Sequence, residues 1–198
     1  MFKRKVLTSL LIALISSCAF AEYKVSTTLS KEEQKNKAQE LYKNMAQLDN
    51  DALDDLINMH TQVIEKCPES ARAQESCWKL SNLFIIKQSD FQSAVEVLEH
   101  LIKQYPDSEL VPAAKNRLMT CYKSLNEYEK VCKLYEEIFA NDPNPSNKTY
   151  IVRALAYGKA LDAIGKAEEA QKWYQEVINR DKTGMSLEAR AARKLLAQ

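Results

Sequence analysis

The chain has 198 residues, 45% hydrophobic and 28% charged, enough for one domain with a proper core and too few for two large ones. Its 28 basic and 27 acidic residues leave a net charge of +1, and setting aside Lys3, Arg4 and Lys5 leaves 25 basic against 27. A near-neutral chain without a basic block is no dedicated nucleic-acid binder, whose affinity rests on phosphate neutralisation. Three glycines and five prolines exclude a collagenous or glycine-rich design, which leaves a mainly helical domain.

The first segment reads as an address. Lys3-Arg4-Lys5 precedes an apolar run from Val6 to Ile15 and the small residues Ser16 and Ser17, the order of a secretory signal peptide. The run is too short to span ~30 Å of hydrocarbon at 1.5 Å per residue. Ala19-Phe20-Ala21 offers an A-x-A exit, so residues 1–21 are expected to be removed and the protein exported, to a periplasm in a bacterial host. Leu14-Ile15-Ser16-Ser17-Cys18 offers another: it resembles the lipobox of bacterial lipoproteins, in which Cys18 is lipidated and the chain held at the outer membrane. Both patterns fit. A membrane enters only through the second.

Residues 22–35 form a linker that ends in Ser30-Lys31-Glu32-Glu33, a capping-box pattern at the start of a helix. The chain then repeats. Pro68, Pro106 and Pro143 are 38 and 37 residues apart, and the same pattern recurs at Lys182. Counting back from these anchors, Leu56, Ala94, Val131 and Ala170 share a column; so do His60, Leu98, Tyr135 and Tyr174, and Val63, Leu101, Ile138 and Val177. These columns lie on one helical stripe. A less regular upstream helix precedes each, joined to it by turn residues such as Ser89-Asp90, Asn126-Glu127 and Gly165-Lys166. Proline stops the second helix of a unit, and Ser70, Ser108 and Ser146 are placed to cap the next.

The units resemble the tetratricopeptide repeat, a helix-turn-helix module stacked into a right-handed superhelix. Trp78, Gly158, Gly165, Ala94, Ala170, Phe91, Tyr128, Tyr174, Pro106 and Pro143 carry the match over residues 36–182; Val131 and Leu56 are bulkier than the pattern, and the first unit matches least. The phrase Gln104-Tyr105-Pro106-Asp107-Ser108 and the long period are similar to the exported envelope branch of that family, which includes the outer-membrane assembly lipoprotein and the Tol–Pal-associated coordinator protein. The expected fold is therefore an all-α solenoid of about four units. Residues 183–198 add a capping helix with Leu187, Ala191 and Leu195 on its inner face, since a stack of repeats leaves its last apolar face open.

Four cysteines remain beyond Cys18. Within the repeat scheme Cys67 and Cys77, and Cys121 and Cys132, face each other across helical hairpins, so two disulfides are expected in an exported chain; buried free thiols are the alternative. Spacings of ten and eleven residues within helices do not resemble a redox motif. His60 falls in a core column and His100 on a partly exposed face, forty residues away, so no zinc site is expected. No phosphate-cradling loop can be built from Gly158, Gly165 and Gly184. Neither catalysis nor a cofactor is expected. Asn147-Lys148-Thr149 is an N-glycosylation sequon by pattern.

What is left is a binding surface. In the resembling family the first helix of each unit lines a concave groove that holds extended peptides or partner helices. Here that face projects Lys79, Leu83 and Lys87, then Asn116, Thr120 and Lys123, then Leu155, Lys159 and Asp162. Four lysines against one aspartate suit an acidic peptide or protein partner. The family's carboxylate-clamp pattern of paired Asn and basic residues is not reproduced.

Overall fold

Three prolines set the rhythm of the chain. Pro68, Pro106 and Pro143 each stand two residues beyond the end of a helix, where the missing N–H and the ring clash stop it. The computed structural model describes residue 25 and residues 27–49, 52–181 and 183–197. Residues 1–21 with Cys18, and the fourth anchor Lys182, lie outside them. Among the described residues nine α-helices run in chain order: α1 (Lys31–Met45), α2 (Leu53–Lys66), α3 (Ala71–Leu83), α4 (Phe91–Gln104), α5 (Val111–Ser124), α6 (Tyr128–Asn141), α7 (Asn147–Ala163), α8 (Ala167–Arg180) and α9 (Leu187–Leu196). No strand occurs among the described residues. Successive helices pack as neighbours, and α1 also touches α3 while α9 touches both α7 and α8. The described residues thus form four two-helix units and a terminal helix.

Helix starts follow local chemistry. The capping box forms as expected: Ser30 N donates to Glu33 Oε2 at 2.7 Å and Glu33 N to Ser30 Oγ at 3.4 Å, so the first helix begins at Lys31. Ser146 Oγ accepts from Thr149 N at 3.2 Å. The other two expected caps are corrected. Ser70 stands at the N-cap of α3 as expected but turns its hydroxyl back to Cys67 O at 2.8 Å instead of capping, and Ser108 accepts from Leu110 N at 3.3 Å while α5 starts later, with Pro112 in its first turn.

The turns inside units 2, 3 and 4 share a left-handed residue, Ser89 (φ 54°), Asn126 (φ 59°) and Gly165 (φ 78°). In units 3 and 4 the following amide donates five residues back, Glu127 N to Tyr122 O and Lys166 N to Leu161 O. Unit 2 has one residue more. Asp90 N reaches six back to Phe84 O, and a π-helical turn, Phe84–Gln88, absorbs the surplus at the end of α3. That turn leaves Ile86 72% exposed.

The main core runs from Ile64 to Ala192 and includes Ala94, Leu98, Leu101, Val131, Tyr135, Ala170, Tyr174 and Val177 from the expected stripe. A separate small cluster of Ala38, Leu41, Val63 and Cys67 lies under α1. Gly158 is there because Tyr174 needs the space: a Cβ would sit 2.6 Å from its Cε1. Tyrosines also tie units together, Tyr122 donating to Glu99 and Tyr157 to Glu136 at 3.0 Å, carboxylates that stand at the same position relative to Pro106 and Pro143.

The terminal helix is rotated from the expected stripe. Ala189 and Ala192 are its buried residues, Ala191, Leu195 and Leu196 are half-buried, and Leu187 is left 74% exposed. Its entry is fixed by Asp181, which accepts from Ser186 N at 2.9 Å and Thr183 N at 3.2 Å; the bonds from Ser186 and Thr183 hold that carboxyl down at about 2.

Candidate partner-binding face

The side of α3 turned away from the core carries Arg72, Glu75 and Lys79, one and two turns apart. Glu75 takes Arg72 Nη1 at 2.5 Å and Lys79 Nζ at 2.7 Å. Both cations also lie over the ring of Tyr42 from α1, at 4.5 and 5.0 Å from its centroid, an arrangement that adds cation–π attraction to the ion pairs. Beneath them Tyr42 Oη meets Ser76 Oγ at 3.0 Å, and Ser76 Oγ meets His60 Nδ1 at 3.2 Å. Burial pushes the Tyr42 hydroxyl up to about 12. Burial, helped by Lys79, pulls His60 down to about 4. His60 is a neutral packing residue against Tyr42.

Lys79 is therefore engaged within the molecule. Lys123 is too: its Nζ donates to Tyr135 Oη at 3.2 Å and lies 5.4 Å from that ring's centroid. Asp162 accepts from Tyr174 Oη at 2.5 Å. Leu83 is half-buried against the core and Leu155 is buried within it. Asn116 and Thr120 are exposed together on α5, with Thr120 Oγ1 donating to Asn116 O at 3.3 Å. Lys87 and Lys159 are exposed and form no ion pair among the described residues.

One contact joins the faces of α3 and α5, and it was not expected from the sequence. Arg117 stacks on Trp78 with Cζ 3.7 Å from the ring centroid. Burial lowers the guanidinium's affinity for its proton, and Arg117 Nη1 is buried without a hydrogen-bond partner. The only clue in the sequence was adjacency, Arg117 to Asn116 and Trp78 to Lys79.

The cysteines correct the expected bridges. Cys67, Cys77, Cys121 and Cys132 are all free and buried. Cys67 belongs to the small cluster under α1 and Cys77 to the main core, so the first pair fills two different packing sites. Burial raises all four thiols, Cys77 to about 12, which leaves little thiolate for redox chemistry. His100 is also corrected: it is 9% exposed and packs edge-on against Tyr105. The amide of Asn147 donates to Arg180 O at 2.9 Å, so the sequon's acceptor nitrogen is engaged. Among the described residues no group of His, Cys, Asp and Glu is placed to hold a metal, and no helix is long and apolar enough to cross a membrane.

A cleft of about 1190 Å³ is lined by none of these candidate residues. Its walls are Val25 and Lys31 before and at the start of α1, the turn from Pro68 to Ala71, and α4 residues including Glu96, Glu99 and His100.

A family model described as a tetratricopeptide repeat-like domain matches residues 2–196. No curated protein matches the chain. Among solved structures it is similar to a tetratricopeptide repeat protein from Parabacteroides merdae ATCC 43184, at 15% identity and a TM-score of 0.56, over 81% of this chain and 59% of that one. It is also similar to the nearly identical repeats of a Podosopora anserina putative kinesin light chain, at 17% identity and a TM-score of 0.55, over 84% and 82%. A MamA segment from Desulfovibrio magneticus RS-1 aligns at 17% identity with a TM-score of 0.50, over 82% and 92%. At such identities the likeness is one of fold. The chain spans about 59% of the length of the first of these structures.

Proposed function

The chain belongs to the tetratricopeptide repeat-like family, and from that premise we propose that it is a non-catalytic scaffold of the cell envelope, exported through residues 1–21. Proteins of this family are in general protein–protein interaction modules. The reading here is that the outward face of α3, α5 and α7 holds an extended acidic peptide or a partner protein. The observation that carries it is the distribution of charge on that face. Lys79, Lys123 and Asp162 are engaged internally, whereas Lys87 after α3 and Lys159 on α7 stand exposed in the units before and after the one that carries the exposed polar pair Asn116 and Thr120. Two free cations flanking hydrogen-bonding groups suit a ligand with separated carboxylates.

Crosslinking in intact cells with a Lys87→Glu/Lys159→Glu chain tests it. Capture of the partner should fall at least several-fold, with the helical content unchanged. Equal capture removes this face as the binding surface. Reversing Lys79 instead is a control for fold, because it breaks the bond to Glu75.

The run Leu14-Ile15-Ser16-Ser17-Cys18 supports a second reading, a lipid-anchored structural subunit of an outer-membrane assembly complex. The mature N-terminus separates the two: an intact mass that begins at Glu22 supports the exported scaffold, and an acylated Cys18 the anchored subunit.

A further inference from the structure

The terminal helix turns outward a face that nothing in the molecule matches. α9 packs on α7 and α8, with Ala189 and Ala192 buried and Leu195 and Leu196 half-buried. Residues three and four apart share one face of a helix. Leu187, Arg190 and Lys194 therefore form a row on the other side, with Arg193 beside it, and all four are exposed. Just before the helix stands Met185, 76% exposed, and no large apolar side chain among the described residues is more exposed than it and Leu187. We propose that this face, two apolar side chains among three cations, docks the protein on the surface of an anionic lipid bilayer. The proposal needs neither the peptide-binding face nor Cys18.

Charge comes first. Arg190, Arg193 and Lys194 form no ion pair among the described residues, Arg193 giving only Nη1 to Gly184 O at 2.8 Å. Glu188, the one acid of α9, is half-buried, and Asp181 is turned to the amides of Thr183 and Ser186. Of the acids on the two helices beneath, Asp162 is bonded by Tyr174, Glu169 by Lys166 and Glu176 by Arg180. That leaves Glu168 against Lys148, Lys159 and Lys172. This end of a chain whose net charge is only +1 is thus positive, and cations so placed are drawn to anionic headgroups.

The apolar pair comes second. Its loop is held: Met185 N donates to Thr183 Oγ1 at 3.3 Å, Ser186 N to Asp181 at 2.9 Å, and the Arg193 bond ties Gly184 to the helix. Met185 and Leu187 therefore project without an ordering cost on docking. The side of a single helix gives an extended acidic peptide no groove, and these two side chains give it no charge to match. The boundary between headgroups and acyl chains accepts both kinds of side chain at once. So few contacts make the docking reversible and sensitive to salt.

The test is co-sedimentation of the chain starting at Glu22, which carries neither Cys18 nor the apolar run before it. The vesicles are phosphatidylcholine alone or with about one-third phosphatidylglycerol. Binding to the anionic vesicles should be at least tenfold tighter than to the neutral ones. It should fall at least tenfold in Arg190→Glu/Lys194→Glu and several-fold in Met185→Ser/Leu187→Ser, and stay unchanged in Lys87→Glu, which lies in another unit. No binding, equal binding to neutral vesicles, or indifference to the serine pair overturns the proposal. Capture of labelled oligoglutamate through Arg190 and Lys194, in place of vesicles, also overturns it and makes the face an acidic-peptide site. A second readout guards against a variant that fails to fold. The four thiols Cys67, Cys77, Cys121 and Cys132 are buried, so an environment-sensitive dye on Met185→Cys reports that position alone; its emission should shift to the blue with anionic vesicles, and no shift sinks the proposal.

Discussion

The first and fourth units hold their two helices together by different means, although they are copies of one pattern. His60 and Tyr174 occupy the same column. In unit 4 the column holds a ring that is 1% exposed, pressed against Gly158. Beside it Phe139 stacks on Trp173 at 4.8 Å and Tyr157 meets Trp173 at 5.0 Å. In unit 1 the column holds an imidazole bonded to Ser76 and backed by Tyr42, over a cluster of only four buried apolar residues. Unit 4 relies chiefly on buried apolar area, which is non-directional and insensitive to pH, with one hydrogen bond between its helices, from Tyr174 Oη to Asp162. Unit 1 relies on hydrogen bonds and a neutral histidine, which are neither. Because each unit of a linear stack touches only its neighbours, such differences stay local.

The largest effect should come from deleting unit 4's ring. Tyr174→Ala removes a fully buried aromatic and should destabilise the protein by about 3–5 kcal/mol, measured by urea unfolding. A loss no larger than that of His60→Ala would break the contrast.

Acid should act on the other end. His60 titrates at about 4 in the folded chain against an ordinary 6.5. Between those values the unfolded chain binds a proton that the folded chain does not, so stability falls as pH drops from 6.5 towards 4 and levels off below. The loss attributable to this group is at most about 3 kcal/mol. Hydrogen exchange at pH 4.5 should show α1 and α2 opening before α7 and α8. Uniform loss of protection would mean that the units do not respond separately.

A smaller effect sharpens the packing side. Gly158→Ala places a Cβ 2.6 Å from Tyr174 Cε1, and overpacking of this kind costs about 1–3 kcal/mol. In a Tyr174→Leu background most of that penalty should vanish. If it persists, the glycine is needed for some other reason.

The fold was legible where one physical cause acts alone. Proline stops a helix whatever surrounds it, so three anchors and the stripe of Ala94, Leu98 and Leu101 could be read directly. The π-helical turn could not, because one surplus residue changes the hydrogen bonding without disturbing the hydrophobic pattern. Ser70 and Ser146 look alike in sequence, yet one hydroxyl turns back to Cys67 O and the other caps its helix; the choice depends on the turn that precedes each. The cysteine bridges failed because facing positions on a hairpin do not by themselves bring two sulfurs into bonding geometry. Much less of the candidate site was legible. The sequence placed Lys79, Lys87, Lys123 and Lys159 on the outward helix faces, but which of them are spent on Glu75 and Tyr135 depends on side chains from other turns and helices. The stack of Arg117 on Trp78 joins two helices with a third between them in the chain, and no local pattern encodes it.

The smallest effect probes the link at unit 1's edge. Gln34, which is buried, bridges Leu29 O and Glu69 N with one amide, so Gln34→Ala leaves a donor and an acceptor unpaired, worth about 1–2 kcal/mol. Gln34→Glu keeps the acceptor for Glu69 N and loses only the donor to Leu29 O, so it should lose less. The readout is exchange of the Glu69 amide, which should quicken in the alanine variant and stay slow in the glutamate one. If both variants protect that amide equally, the edge of unit 1 is held by the apolar cluster under α1 after all, and the first unit differs from the fourth in the size of its core rather than in kind.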